Sequence, residues 1–272
     1  YEILIGLVGS EMCIRDSTHT TRCMHAVGSD EEYVFSAIKG GFQILGFSDH
    51  TPWKYRTSYV ADMRMLPEEL PEYIESLQYL REKYRDQIDI KIGLECEYFP
   101  EYIPWLKEQI KKYQLNYILF GNHHFHTDEK FPYFGHHTNN RDMLDLYEES
   151  AIEGMESGLY NCLAHPDLFM RSYPKFDHHC ATISRHICRT AARLNIPLEY
   201  NIGYVAYNEE HGLNTYPCPN FWHIAANEGC TAIIGMDAHN NNDLEVPIYY
   251  ERALQELKEL KIKTTDTLKM MY

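Results

Sequence analysis

The chain is 272 residues long, 44% hydrophobic and 24% charged, a globular composition able to bury the core of one large α/β domain or two small ones. Asp and Glu outnumber Lys and Arg by 40 to 25, a net charge of −15, which argues against nonspecific binding to nucleic acid or membrane surfaces. No apolar run reaches the roughly 18 residues that a membrane-spanning helix needs, and no basic segment leads into a secretory-type apolar stretch.

Short apolar runs alternate with helical segments along the chain. A first strand is expected just before His19. Ser29-Asp30-Glu31-Glu32 carries a capping-box pattern and opens the first helix, which Gly40-Gly41 ends. A buried strand over 44–47 precedes a helix over 67–85, and a strand over 88–94 precedes a helix over 101–113. Strands over 115–120, 161–163, 197–200 and 231–234 follow, with helices over 142–157, 178–194, 219–228 and 251–261. Counting the strand before His19, the pattern makes seven βα units. Such alternation predicts a parallel sheet, either closed as a barrel or open and doubly wound. There is no repeat, low-complexity tract or linker.

The chain holds 15 histidines, and their placement is informative. Thr18-His19-Thr20 follows the first strand, with His25 six residues beyond His19. Ser48-Asp49-His50 follows the second strand, and Glu95-Cys96-Glu97 the third. Asn122-His123-His124 comes after the fourth, His165-Pro166-Asp167 after the fifth, and Asp237-Ala238-His239 after the seventh. In a βα barrel the strand C-termini converge on one face. Imidazoles and carboxylates meeting there form the ligand set of Zn²⁺, Mn²⁺ or Fe. One histidine after one strand would usually be an ordinary hydrogen-bonded side chain. Six clusters at six strand ends predict a polynuclear metal centre.

The same criterion removes His136, His137, His178, His179, His186, His211 and His223, which are expected at the surface or in capping roles. The eight cysteines contain no C-x-x-C pair, so a disulfide framework or a cysteine zinc site is not expected, and a reducing cytoplasm is. Cys23, Cys96 and Cys162 lie near the clusters and are expected to behave as small buried hydrophobes.

A cluster of divalent cations predicts hydrolysis. It draws the pKa of bound water toward neutrality and stabilises the charge of an in-line displacement. Local positive charge also lets an acidic protein hold a phosphate dianion. Arg171, six residues past His165, is the first candidate to clamp phosphate, with Arg64 and Arg22 behind it. Asp49 and Asp167, adjacent to ligand candidates, are expected to orient imidazoles.

The ordered set His19…His25, Ser-Asp-His50, Gly-Leu-Glu95, Asn-His-His124, Ala-His165-Pro and Met-Asp237-Ala-His239 resembles the polymerase-and-histidinol-phosphatase (PHP) superfamily. Thr-Thr-Arg-Cys-Met-His-Ala, Gly-Phe-Ser-Asp-His-Thr-Pro-Trp and Gly-Leu-Glu-Cys-Glu-Tyr are similar to its monofunctional histidinol-phosphate phosphatases. The similarity covers about residues 16–260. It implies an α/β fold, a distorted (β/α)7 TIM-like barrel in a single domain, with three divalent metal ions (Zn, Fe or Mn).

By the same resemblance, His19, Glu95 and Asp237 hold one ion, with the first His of a His-x-His pair. Glu95 bridges to a second ion held by His124 and His165, with His123 as the alternative to His124. His25, His50 and His239 hold the third. A metal-bridging hydroxide held by Glu95 and Asp237 would attack phosphorus, with Arg171 and Arg64 as substrate-binding candidates. The implied substrate is L-histidinol phosphate, cleaved to L-histidinol and phosphate in histidine biosynthesis, with no nucleic-acid or membrane partner. Two alternatives stay open: another small phosphate ester or nucleotide as substrate, and a noncatalytic metal-binding relative impaired at Ser17.

One departure from the family stands out. It has His-x-His where this chain reads Ser17-Thr18-His19, and a serine oxygen is a poor ligand beside imidazole. Residues 8–17 resemble a peptide read from adapter sequence at the ends of translated fragments, and the chain opens on Tyr1. Residues 1–17 are therefore expected to be a non-native or truncated segment ahead of a phosphatase barrel over 18–272. An evolved serine ligand is the competing expectation.

Overall fold

The computed structural model describes residues 14–15, 18–213, 215–245 and 248–272. Parallel strands lie side by side in chain order: β1 (Ile14–Arg15), β2 (Ile44–Phe47), β3 (Asp89–Cys96), β4 (Tyr117–Gly121), β5 (Cys162–Ala164), β6 (Leu198–Asn201), β7 (Thr231–Gly235) and β8 (Lys263–Thr264). Strands β1 to β7 form the expected seven-stranded, TIM-like arrangement. The two-residue β8 is an addition, paired with Thr231 and Ala232 at the start of β7. Within the segment expected to be non-native, Ile14 and Arg15 pair with Ile44 and Leu45 of β2. Ser17 lies outside the described residues, and so does the expectation attached to it.

Beyond β1, Thr18 joins the two sides of the curled sheet. Ser48 N donates to Thr18 O at 2.9 Å, and His19 N donates to Ala238 O at 3.0 Å. The first metal-ligand candidate therefore sits on the seam, between the ends of β2 and β7.

Strand periodicity sorts the side chains into two layers. Ile90, Ile92 and Leu94 of β3, Ile118 and Phe120 of β4, and Ile234 of β7 belong to the large core shared with the helices. The alternate positions Tyr117, Leu119, Cys162 and Ile233 form a second, smaller core inside the barrel, together with Leu268. Continued to the strand C-termini, this inner parity carries Glu95, Gly121, Glu199 and Asp237. The carboxylates thus stand on top of an apolar plug. The C-terminal segment runs beneath it, where Met271 N donates to Asn116 O at 2.8 Å and Asn161 Nδ2 donates to Lys269 O at 2.7 Å.

The helices begin and end where local chemistry dictates. Helix α1 (Asp30–Lys39) opens on the expected reciprocal box, with Ser29 N donating to Glu32 Oε2 at 2.7 Å. Helices α2 (Leu70–Lys83) and α3 (Ile103–Tyr113) carry Pro in their first turn, where no amide hydrogen is required. Two helices were not anticipated: α4 (Phe134–His137), a single turn, and α7 (Ile202–His211). His136 and His137 lie on α4 and are exposed, as surface residues should be. Helix α7 starts directly from β6, and Asn201 Oδ1 accepts from Tyr204 N to cap it.

The remaining helices are α5 (Arg141–Glu156), α6 (His178–Leu194), α8 (Pro219–Asn227) and α9 (Ile248–Glu259). His179 and His186 on α6 pair with Asp145 and Glu148 of α5 on the outer surface. Among the described residues, no helix is long and apolar enough to cross a membrane.

Candidate metal centre

The site is organised around Glu95, near the end of β3 and only 2% exposed. Its Oε2 lies 3.2 Å from His19 Nε2 and 3.4 Å from His50 Nδ1. Its Oε1 lies 2.9 Å from His165 Nε2 and 3.4 Å from His123 Nε2. Burial alone would raise this carboxyl group. Instead, the imidazoles packed around it, His123, His165 and His19, hold it well below the usual carboxylate range. On the far side of His19, Asp237 Oδ1 lies 3.4 Å from the same Nε2.

Close packing makes the arrangement possible. A Cβ on Gly121 would sit 2.4 Å from Glu95 Oε1 and 2.5 Å from His123 Cε1, so only glycine leaves room for both. His165 and Asp237 adopt φ values of 29° and 49°, a left-handed backbone that non-glycine residues seldom take outside functional sites. Glu199 on β6 accepts from the His165 amide at 2.9 Å, and Asn201 donates to Asp237 Oδ2 at 3.0 Å. These bonds anchor the two strained turns.

The donor set fits divalent metal. Among the described residues, His19 has no hydrogen-bond partner on either ring nitrogen; the same is true of His50 Nδ1, His165 Nδ1 and His239 Nε2, and all are buried atoms. Glu97 Oε1 lies 3.1 Å from His123 Nδ1, an arrangement in which Nδ1–H donates and Nε2 is left unprotonated. That Nε2 stands 3.2 Å from His165 Nε2, a separation that requires a proton or a cation between them. Ligand atoms of His19, His50 and His239 lie within 4.8 Å of one another, as do those of His50, Glu95 and His123. Such imidazole and carboxylate sets suit Zn²⁺, Fe and Mn²⁺.

Seven of the eight metal-ligand candidates named above therefore come together: His19, His25, His50, Glu95, His165, Asp237 and His239. His25 stacks on His239 at 4.6 Å between ring centroids, and His239 on His19 at 4.4 Å. The exception is His124. Its Nδ1 bonds to the Phe131 carbonyl at 2.9 Å, and its neighbour His123 faces the cluster in its place.

Arg64 is a second correction. It is 2% exposed and clamps Glu97 with both terminal nitrogens, at 2.9 and 3.0 Å, while also pairing with Asp128. It cannot reach a substrate, because its charge is consumed in holding the carboxylate that holds His123. Arg22 is likewise engaged by Asp30 and Glu72. Asp49 accepts from the Thr20 amide and lies 3.8 Å from His19 Nδ1, while Asp167 accepts from the Cys218 amide rather than from an imidazole.

Above the cluster opens a cavity of about 480 Å³, the size of a small-molecule site. Its lining combines imidazoles and carboxylates with Tyr133, Tyr204, Tyr207 and Tyr216. Arg171, on the 3-10 turn after β5, reaches this space with its guanidinium 5.3 Å from the Tyr204 ring centroid. No carboxylate pairs with it among the described residues.

Sequence comparison decides the family. The PHP domain model matches residues 17–202, well over half the chain. The chain belongs to the PHP domain family. Within it, the chain is 28% identical to a Deinococcus radiodurans protein named "Probable histidinol-phosphatase", over 90% of this chain and 93% of that protein. A Schizosaccharomyces pombe protein of the same name is 36% identical over 123 residues, which is 43% of this chain and 40% of the relative. A Lactococcus lactis histidinol phosphate phosphatase, solved with zinc, L-histidinol and phosphate, superposes with a TM-score of 0.73 at 18% identity. That match covers 97% of this chain and 100% of the other, a likeness of fold.

The packing around Gly121 makes a direct prediction for this PHP-domain centre. Gly121→Ala should fold normally by circular dichroism yet displace Glu95 or His123. Metal affinity, measured by chelator competition, should fall about 10–100-fold, as for loss of a residue supporting the ligands. Unchanged affinity would show that the cluster tolerates a Cβ at this position.

Proposed function

We propose that this PHP-domain protein is a metal-dependent phosphomonoesterase that hydrolyses L-histidinol phosphate to L-histidinol and phosphate, in the cytoplasm, for histidine biosynthesis. One observation carries the reading. An arginine with no carboxylate partner among the described residues shares a small-molecule cavity with a cluster of imidazoles and carboxylates. The names of the two relatives and the content of the Lactococcus lactis structure support the choice of substrate. The seven described cysteines are free and buried, in keeping with a reducing compartment.

Three divalent ions, Zn, Fe or Mn, are assigned to three ligand groups. His19, Glu95 and Asp237 would hold the first; Glu95, His123 and His165 the second; His25, His50 and His239 the third. When bound, the ions lower the pKa of water toward neutrality and neutralise phosphate charge. The chain's own residues then set the geometry. Glu95 and Asp237 accept hydrogen bonds from the attacking water and fix its approach. Arg171 donates in bidentate fashion to the phosphate oxygens. The tyrosines of the cavity receive the imidazole ring of the substrate, and Asp243 at the rim faces its ammonium group.

Phosphate release should therefore be fastest, by kcat/KM, on histidinol phosphate within a panel of sugar, nucleotide and aryl phosphates. It should vanish on chelation and return on adding Zn²⁺, Fe²⁺ or Mn²⁺. Preference for another ester would replace the substrate, and activity that survives full chelation would overturn the mechanism. Losing the charge-assisted phosphate contact in Arg171→Ala should cost about 1.5–3 kcal/mol, roughly 10–100-fold in kcat/KM, mainly through KM. His123→Ala should lose bound metal while His124→Ala retains it. The opposite result would restore His124 as the ligand that the family resemblance implies.

A further inference from the structure

The loop between the seam and α1 holds a donor that none of the three ligand groups uses. After His19, a 3-10 turn over Thr21–Cys23 is capped by Thr20, and Met24 leaves it with a left-handed φ of 65°. The turn drives Cys23 inward until it is 0% exposed. Its surroundings are not those of a hydrophobic thiol. Ring nitrogens of His19, His25 and His239 all lie within 4.8 Å of the sulfur. Sγ, a His25 nitrogen and a His239 nitrogen all lie within 4.8 Å of one another, and Sγ forms a second such group with His19 and Asp49.

The neighbouring imidazoles are oriented to share a cation with that sulfur. His25 Nδ1–H is held by the Cys23 carbonyl at 2.6 Å, and His239 Nδ1–H by the Asp237 carbonyl at 2.9 Å. Each ring is thereby fixed in the tautomer that leaves Nε2 free to coordinate. Among the described residues, His239 Nε2 is buried without a hydrogen-bond partner. So are both nitrogens of His19, which is itself 0% exposed beside Cys23. Donors at about 2.0 and 2.3 Å from one tetrahedral ion stand about 3.5 Å apart, so this group closes on a cation by a shift of about 1 Å. Other described cysteines are placed differently. Cys96 lies against Thr51, and Cys230 donates to the Cys188 carbonyl.

We propose that Cys23 is a metal ligand, its thiolate completing the set of His25 and His239. The inference rests on the reading of the cluster as a metal centre and adds a sulfur donor to it. On coordination the Sγ–H bond breaks, its proton leaves to solvent, and the sulfur lone pair forms the bond to the ion. A thiolate shifts that position toward Zn²⁺ or Fe²⁺ and away from Mn²⁺ and Mg²⁺, which prefer oxygen.

Cobalt(II) substitution of the chelated full-length protein tests this without recourse to activity. The wild type should show visible d–d bands together with a near-ultraviolet thiolate-to-cobalt charge-transfer band. Cys23→Ser should lose the charge-transfer band and keep the d–d bands. A wild type with d–d bands but no charge-transfer band overturns the sulfur ligand and leaves the metal centre standing. A charge-transfer band that persists in Cys23→Ser also overturns it. Absence of every cobalt band overturns both readings. Zinc X-ray absorption on the unmodified protein is independent of how the variant folds. A sulfur shell at about 2.3 Å is expected, and a spectrum fitted by nitrogen and oxygen alone refutes the assignment.

Discussion

Taking the Glu95 carboxylate out of water costs several kcal/mol, and the upper end of the barrel is arranged to offset that cost. Each oxygen of the carboxylate faces two imidazoles, His19 and His50 on one side and His123 and His165 on the other. These rings come from four separate strand ends, so no local segment can assemble them. The fold must bring the strands into register first. The glycine at the end of β4 then admits Glu95 to the same space as His123. Removing any one ring would leave both the carboxylate and the remaining imidazoles underpaired, which couples the two halves of the cluster energetically.

Charge is organised in layers around this point. The protein as a whole is strongly acidic, yet the cavity sets imidazoles beside its carboxylates, together with a guanidinium that no carboxylate pairs with among the described residues. Behind them, Arg64 is sealed against Glu97 and Asp128, and Glu97 in turn fixes the tautomer of His123. The two arginines thus serve at different depths. Arg171 reaches the cavity, while Arg64 stiffens a residue of the imidazole cluster.

Most of the fold could be read from the sequence because β2 to β7 are short, continuous apolar runs separated by well-capped helices. Helix α6 matches its expected bounds, and the Ser29 box marks the true start of α1. Helix α7 escaped notice because Gly203, Val205 and two tyrosines dilute its pattern, and no loop separates it from β6. The choice between His123 and His124 was not available from spacing. Both follow the end of β4, where strand parity no longer fixes direction, and only the carbonyl of Phe131 draws His124 aside. Glu97 could have been found, since it lies two residues from Glu95 and so shares its face of the strand. The partners of Arg64 are 33 and 64 positions away, and no local pattern reveals such a pairing.

The plug of Tyr117, Leu119, Cys162, Ile233 and Leu268 has a kinetic consequence. It seals the barrel from below, with the C-terminal segment crossing the underside, so the cluster communicates with solvent through its upper mouth. Traffic through such a dead-end chamber is sequential. Whatever is bound deepest, against the buried His19 and His165, departs after whatever lies nearer the opening. A phosphate ester cleaved here would release its alcohol first and its phosphate last. Inorganic phosphate would then compete directly with the incoming ester for the vacated floor of the chamber.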